Sequence, residues 1–131
     1  MVDAGFDAAV RRHWSDLLEG QPVAFQFLLP SRWRLVPLKL QRNASVTWQG
    51  QPAEQLQMRL DAWFGFAVPA VTLVYARNRP RLLQFSGTGN VRDAQGRYPQ
   101  VRVEFPAEPV AASAAELAAA RQQPLVATCA G

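Results

Sequence analysis

From Gln21 to Phe105, the chain consists of short runs in which apolar and polar residues alternate with a period of two, and this pattern constrains its fold more than any other feature. Alternation of this kind is typical of β-strands that bury one face. In the clearest run, residues 56–61, two leucines and a methionine alternate with Gln, Arg and Asp. Glycine, proline or asparagine separates the runs, so we expect turns between them.

Seven such runs cover residues 23–28, 38–41, 46–49, 56–61, 71–75, 81–85 and 101–105. The connections are too short for the helical crossovers that parallel strands need, so the pattern predicts a curved antiparallel meander of six to seven strands. Apolar residues lie on one side of these runs, and Gln and Arg dominate the other. The sheet therefore needs a covering layer on one face only.

An amphipathic helix over residues 5–19 supplies that layer. Its apolar residues recur every three to four positions from Phe6 to Leu18. We expect Asp3 to cap its first turn and Gly20 to end it in a left-handed conformation. The predicted fold class is α+β, with the sheet packed on this one N-terminal helix.

The segment 107–131 differs in composition because it is rich in alanine. Ser113 and Glu116 have the spacing of a capping box, which predicts a short helix over residues 114–122. We therefore divide the chain into a single α+β domain, residues 1–106, and an alanine-rich C-terminal tail, residues 107–131.

Composition places the chain among folded globular proteins, with 131 residues of which 49% are hydrophobic. We expect no transmembrane segment, because no apolar run approaches about 18 to 20 residues. The net charge of +4 comes from 13 arginines and one lysine, Lys39, against 10 acidic residues. The arginines are spread from Arg11 to Arg121, which favours a solvated surface, and we expect no nucleic acid partner.

The residues needed for catalysis or metal binding are sparse. His13 is the only histidine and Cys129 the only cysteine, which excludes a disulfide within the chain and a structural zinc site. The carboxylates Asp61, Asp93 and Glu104 have no partner nearby in sequence. We therefore predict that the protein is not an enzyme and holds neither a metal nor a cofactor. An enzyme with a site assembled from scattered Asp, Arg and Tyr residues is the alternative.

Aromatic residues give the first candidate binding site. The segment Trp63–Phe66 breaks the alternation and is followed by Pro69, so it reads as an irregular crossover. Trp33, Trp63, Phe64 and Phe66 would rim an apolar cavity for a lipid-like ligand. The competing interpretation, which the abundance of large aromatic residues favours for most of them, is that they fill the core.

Basic residues around one predicted hairpin give the second candidate. Residues 77–80 read as the loop between two runs, and Arg77, Arg79 and Arg81 would form a basic patch near one edge. Solvated loop charge is the alternative interpretation.

Three stretches resemble an uncharacterised family of bacterial proteins, often exported, that carries a domain of unknown function. They are residues 4–14, residues 23–30, and residues 82–105 with the segments Asn90–Gly96 and Val101–Phe105. The resemblance spans roughly residues 4–106. It implies a half-barrel sheet similar to those of envelope lipoprotein carriers, which is an analogy of fold alone. It implies a periplasmic location if an export signal is missing from this chain, and a cytoplasmic one otherwise.

The sequence departs from this family in two respects. Members tend to have additional strands before the first helix, whereas this chain opens almost directly on it, so we expect a short gene or a fragment. They also tend to have Asp where Thr72 and Ala76 stand here. An unpaired strand edge would recruit a partner, which predicts a homodimer or an edge-on association. The functional hypothesis is a non-enzymatic binding or structural module of the bacterial envelope, with an apolar ligand or a protein partner. Nucleic-acid binding through an arginine-rich surface is a further alternative.

Overall fold

The computed structural model describes residues 5–29, 33–63, 69–89 and 91–123. These residues form three helices and six strands. The elements are α1 (Phe6–Arg12), α2 (Trp14–Leu18), β1 (Val23–Leu29), β2 (Arg34–Trp48), β3 (Gln51–Leu60), β4 (Val71–Ala76), β5 (Leu82–Thr88), β6 (Gln100–Glu104) and α3 (Ala114–Gln122).

The six strands form one antiparallel sheet in the order β1-β2-β3-β4-β5-β6. Each strand pairs with the next one in the chain, so the connections are those of a meander. The sheet does not close, and β1 and β6 are its two edges. The predicted α+β fold with an antiparallel meander is confirmed.

The long strand β2 contains two of the seven predicted runs, which is why there are six strands. The pairing of β2 with β3 shifts register between Arg42 and Ala44, as a β-bulge does. Because side chains alternate with a period of two, the extra residue moves Val46 and Trp48 to the face opposite Leu40. The run 46–49 thus continues β2 with its apolar residues on the other face.

The turn between β2 and β3 consists of Gln49 and Gly50, which both have positive φ angles, 44° and 83°. Two-residue hairpin loops favour this conformation because its twist matches that of the strands. Glycine adopts it without steric cost, and it ends the run where the sequence predicted.

One face of the sheet packs against the first two helices, and we call it the helix-covered face. Leu40, Leu56 and Leu73 of the sheet are fully buried there, with Val10 of α1 and Leu17 of α2. The apolar stripe predicted for the N-terminal segment therefore faces the core. Burial of each leucine stabilises the folded state by roughly 1.5 to 3 kcal/mol.

The N-terminal segment forms two short helices rather than the one predicted, because the backbone of His13 leaves the helical conformation, with φ −106° and ψ 26°. The Nδ1 atom of His13 lies 3.0 Å from Asp16 Oδ2, so its side chain contacts the first turn of α2. Gly20 has a φ of 83° after the end of α2, as predicted. Asp3, the expected cap, lies outside the described residues, and Gly5 occupies the N-cap without a side-chain hydrogen bond.

The opposite face is mainly polar, and we call it the polar face. One row of residues crosses five strands in register and consists of Gln41, Gln57, Thr72, Ser86 and Arg102. Towards the β2–β3 turn, a second apolar cluster of Ala53, Val74 and Leu83 is packed against Val46 and Trp48. The predicted division between an apolar and a polar side therefore holds except near this turn, where the bulge in β2 reverses it.

The capping box predicted for the C-terminal helix is present. The backbone N–H of Glu116 donates to Ser113 Oγ, and the backbone N–H of Ser113 donates to the Glu116 carboxylate. That hydrogen bond from the Ser113 backbone, with a second from its hydroxyl, lowers the pKa of Glu116. No residue of α3 is buried, so its tertiary contacts are few.

Tyr75 joins α1 to the sheet. Its ring is fully buried beside Trp14, and its hydroxyl donates to Asp7 Oδ1 at 2.8 Å. The other oxygen of Asp7 lies 2.7 Å from Arg11 Nε. Burial raises the pKa of Tyr75 well above its usual value, and the hydrogen bond to Asp7 raises it further. The phenol therefore ionises at a higher pH in the folded state than in the unfolded chain.

This arrangement predicts a loss of stability in alkali. In the unfolded chain, Tyr75 ionises near its ordinary pKa of about 10, whereas in the folded protein it ionises only at a higher pH. Its contribution to stability is therefore complete below pH 10 and is lost as the pH rises towards the raised pKa of the folded state. Above pH 10, we expect the free energy of unfolding of the wild type to fall more steeply than that of Tyr75→Phe, with a difference in slope that rises towards a limit of about 1.4 kcal/mol per pH unit. Urea denaturation between pH 8 and 11 measures both slopes. Parallel pH dependences in the two proteins would contradict the prediction.

Candidate binding surfaces

The two tryptophans of the predicted apolar site lie at the same end of the sheet. Trp33 precedes β2 and Trp63 follows β3, and the pairing of Leu38 with Leu60 places these two strand ends side by side. Both side chains are highly exposed, at 86% and 87%. Trp33 also has a positive φ of 47°, which is uncommon for a bulky residue. Neither tryptophan fills the core, and the interpretation of both as core residues is wrong.

The other two residues of that site, Phe64 and Phe66, lie outside the described residues. Whether the four aromatic residues surround one cavity therefore stays a prediction.

The three arginines of the predicted basic patch lie in the β4–β5 connection, at the end of the sheet opposite the two tryptophans. Arg81 is nearly buried and donates to the carbonyls of Phe105 and Ala107. Its Nη2 atom lies 2.8 Å from Glu108 Oε1. It anchors the chain after β6. Arg79 is exposed in the loop. The three side chains thus have different surroundings.

Arg77 binds Glu54, which is fully buried on the helix-covered face of β3. The distance from Arg77 Nη1 to Glu54 Oε1 is 2.8 Å, and Arg42 Nε lies 2.6 Å from Glu54 Oε2. The Ser45 hydroxyl lies 3.0–3.1 Å from both carboxylate oxygens. The buried charge therefore has two cationic partners and a hydroxyl donor, as a buried carboxylate requires.

The Glu54 network also holds both ends of α2. Arg42 Nη1 donates to the carbonyl of Leu18 at the end of α2, and the Trp14 indole donates to the carbonyl of Arg77. The charged groups of this network form ion pairs with one another. We therefore interpret it as structural rather than as a ligand site.

The edge strand β1 borders a groove. The cavity there has a volume of about 310 Å³ and lies between β1 and α1. Its lining is mostly apolar or small, with a histidine and an arginine, and consists of Gly5, Ala8, Ala9, Arg12, His13, Val23, Ala24 and Phe25. An added strand at β1 would lie beside this groove.

A second cavity, of about 140 Å³, lies on the polar face between β2 and β3. Its described lining consists of Lys39, Gln41, Arg42, Asn43, Gln57 and Arg59. These side chains carry positive charges and carboxamides, and no carboxylate is among them. Its electrostatic character therefore favours an anion.

Groups suited to acid–base chemistry occur as isolated pairs. His13, which precedes α2, forms an exposed pair with Asp16 of α2, and Asp7 is hydrogen-bonded to the Tyr75 hydroxyl. Over the described part of the chain, no three His, Cys, Asp or Glu residues are placed to hold a metal ion. The expectation that the protein is not an enzyme stays a prediction.

Two features of these surfaces escaped the sequence analysis. Glu54 precedes the run 56–61 in the same alternation as Leu56 and Met58, so a charge at a core-facing position was the available signal. The pairing of Lys39 with Arg59 depends on the register of β2 against β3, which the runs alone do not determine.

Comparisons with protein-family models, with curated proteins and with solved structures find no match to this chain. Within the described residues, no helix has both the length and the apolar character needed to cross a membrane.

The Glu54 network predicts unequal effects of its two arginines on stability. Arg42→Met removes the more buried cation and the bond to α2, so we expect a loss of about 2–4 kcal/mol in the free energy of unfolding. Arg77→Met should cost about 1–2 kcal/mol, because Arg42 and Ser45 still satisfy the carboxylate. Urea denaturation measures both losses.

Arg79→Met is the matched control, since it removes an exposed arginine from the same loop. It should change the free energy of unfolding by no more than about 0.5 kcal/mol. If Arg42→Met destabilises the protein no more than this control, Glu54 does not depend on Arg42.

Proposed function

We propose that the protein is a non-enzymatic interaction module that binds a partner strand at the edge of β1, and that this partner is a second copy of the chain. The observation that carries the proposal is the character of β1. Its sequence, Val-Ala-Phe-Gln-Phe-Leu-Leu, has no charged residue and no proline. In the described part of the chain, β1 pairs on one side only, with β2.

A strand of this kind is an exception among the edges of natural sheets. Edge strands present unpaired N–H and C=O groups, and most are protected from association by charges, prolines or short length. The other edge has more of that protection, because β6 is only five residues long and carries Arg102 and Glu104. Prolines flank both edge strands, so the two edges differ in charge and length. The contrast between the two edges supports association at β1.

The sequence of β1 is compatible with antiparallel pairing to itself. When Gln26 lies on the two-fold axis, it faces Gln26 of the second copy, Phe25 faces Phe27, and Ala24 faces Leu28. The Phe25–Phe27 pairs then extend the helix-covered face, and aromatic cross-strand pairs stabilise a sheet. No like charges meet across this interface, since the strand is neutral. Self-pairing of this kind gives a closed, isologous dimer.

The groove beside β1 supports the same geometry. Val23 and Phe25 line it, and Phe27 lies two residues further along the same face of the strand. Pairing at the edge would place Phe27 of the second copy opposite Phe25, next to Ala8 and Ala9 on α1. Apolar area would then be removed from water in addition to the backbone hydrogen bonds.

Location in the cell envelope, binding of an apolar ligand and membership of the uncharacterised bacterial family are proposals that rest on the sequence alone. None of them is needed for association at β1.

A charge-swap experiment tests this interface. We expect sedimentation velocity to show a concentration-dependent dimer for the wild type, and a dissociation constant at least about fivefold higher for Gln26→Glu and for Gln26→Lys, because each places like charges on the axis. An equimolar mixture of the two variants should associate at least as tightly as the wild type, since opposite charges then face each other.

Gln100→Glu and Gln100→Lys are the matched controls, because Gln100 is an exposed glutamine on β6, the other edge. They should leave the dissociation constant unchanged. A wild type that stays monomeric up to millimolar concentration would overturn the proposal. So would a mixture of the Gln26 variants that associates no better than either alone.

A further inference from the structure

The cavity on the polar face contains an unusual pair of charges. Lys39 and Arg59 are directly opposite each other in the pairing of β2 with β3. Like charges at directly opposite positions destabilise a sheet. Both residues lie on the polar face and both are exposed, so this repulsion acts at the mouth of the cavity.

No carboxylate of the described chain compensates this pair. Arg59 Nε donates to Gln57 Oε1 at 3.0 Å, a neutral acceptor, and no described group bonds to the Lys39 ammonium. Asp61 is the nearest carboxylate along β3, two residues beyond Arg59, but it forms no ion pair with either cation in the described structure. The two positive charges therefore meet across the hairpin without an anion between them.

The other arginine of the polar face shows the contrast. Arg102 on β6 lies 2.6 Å from Glu104 Oε1 on the same strand. Arg42, which also contributes to the cavity, has its guanidinium bound to Glu54 on the helix-covered face. Lys39 and Arg59 thus differ from both in having no acidic partner.

The surroundings of the pair provide neutral donors. Gln41 and Gln57 form the adjacent cross-strand pair, and Asn43 lies at the bulge of β2. Gln57 accepts from Arg59 through its carbonyl oxygen, which leaves its NH₂ group available as a donor. Two cations and several carboxamide N–H groups around a cavity of about 140 Å³ match the oxygens of a tetrahedral anion.

We propose that this cavity binds a phosphate group between Lys39 and Arg59, with Gln41, Gln57 and Asn43 as additional donors. The group is either inorganic phosphate or the headgroup phosphate of an anionic lipid. This site is independent of the association at β1. Binding relieves the repulsion between the two cations, so occupancy stabilises the folded protein.

The first measurement is thermal unfolding in inorganic phosphate against chloride at equal ionic strength. We expect phosphate to raise the melting temperature of the wild type and to leave that of Lys39→Gln/Arg59→Gln unchanged. The double variant Arg34→Gln/Arg79→Gln is the control, because it has the same net charge as Lys39→Gln/Arg59→Gln. It should respond to phosphate as the wild type does. Arg34 lies at the start of β2 on the other face of the sheet, and Arg79 lies in the β4–β5 loop.

The second measurement distinguishes the two sources of the phosphate. Sedimentation with vesicles of phosphatidylglycerol, against vesicles of phosphatidylcholine, reports binding to an anionic headgroup. Binding to phosphatidylglycerol that weakens about tenfold or more in Lys39→Gln/Arg59→Gln, but not in the control, assigns the site to a lipid headgroup. A response to inorganic phosphate alone assigns it to the free anion.

Three results would overturn the proposal. The first is no response of the wild type to either probe. The second is an equal response of Lys39→Gln/Arg59→Gln and the wild type. The third is a lower melting temperature of Lys39→Gln/Arg59→Gln than of the wild type at low ionic strength without phosphate, because removal of a repulsive pair should raise it.

Discussion

The fully buried carboxylate of Glu54 is the interaction on which the rest of the structure depends. Its two arginines come from β2 and from the β4–β5 loop. Arg42 also donates to the carbonyl of Leu18 at the end of α2, and the carbonyl of Arg77 accepts from the Trp14 indole at its start. A charge in this position is costly unless all of its hydrogen bonds are made. Helix α2, the bulge of β2 and the β4–β5 loop must therefore assemble together, which favours one arrangement of α2 on the sheet.

The bulge of β2 links this constraint to the polar face. The extra residue allows Arg42 and Ser45 to face Glu54 together, although an unbroken alternation would place them on opposite faces. Before the bulge, Lys39 and Gln41 lie on the polar face, and after it Val46 and Trp48 do. One irregularity thus separates the apolar cluster near the turn from the basic cavity.

Much of this fold follows from periodicity. Alternation between Gln21 and Phe105 predicted the strands and the meander, and the stripe in the N-terminal segment predicted which residues reach the core, including Val10 and Leu17. The break at His13 leaves the apolar stripe intact, and the bulge of β2 depends on pairing with β3, so the local pattern predicted neither. The candidate binding surfaces were harder to predict from the sequence than the fold. Lys39 and Arg59 lie 20 positions apart in sequence, and only the register of the hairpin brings them together.

The two proposed sites have a geometrical relation if the dimer forms as described. Ala24 of β1 is paired with Lys39, and in the dimer it faces Leu28 of the second copy, so both basic cavities lie on the same face of a continuous sheet. Three strand spacings separate the two β2 strands, about 14 Å, and the shift of four residues adds about 13 Å along the strands. The cation pairs are then about 20 Å apart, beyond the Debye length of about 8 Å, so they repel each other little at physiological salt. A membrane surface that carries many phosphate headgroups would engage both at once, and the second contact would be intramolecular. Such avidity requires the edge of β1, whereas binding of a single phosphate does not.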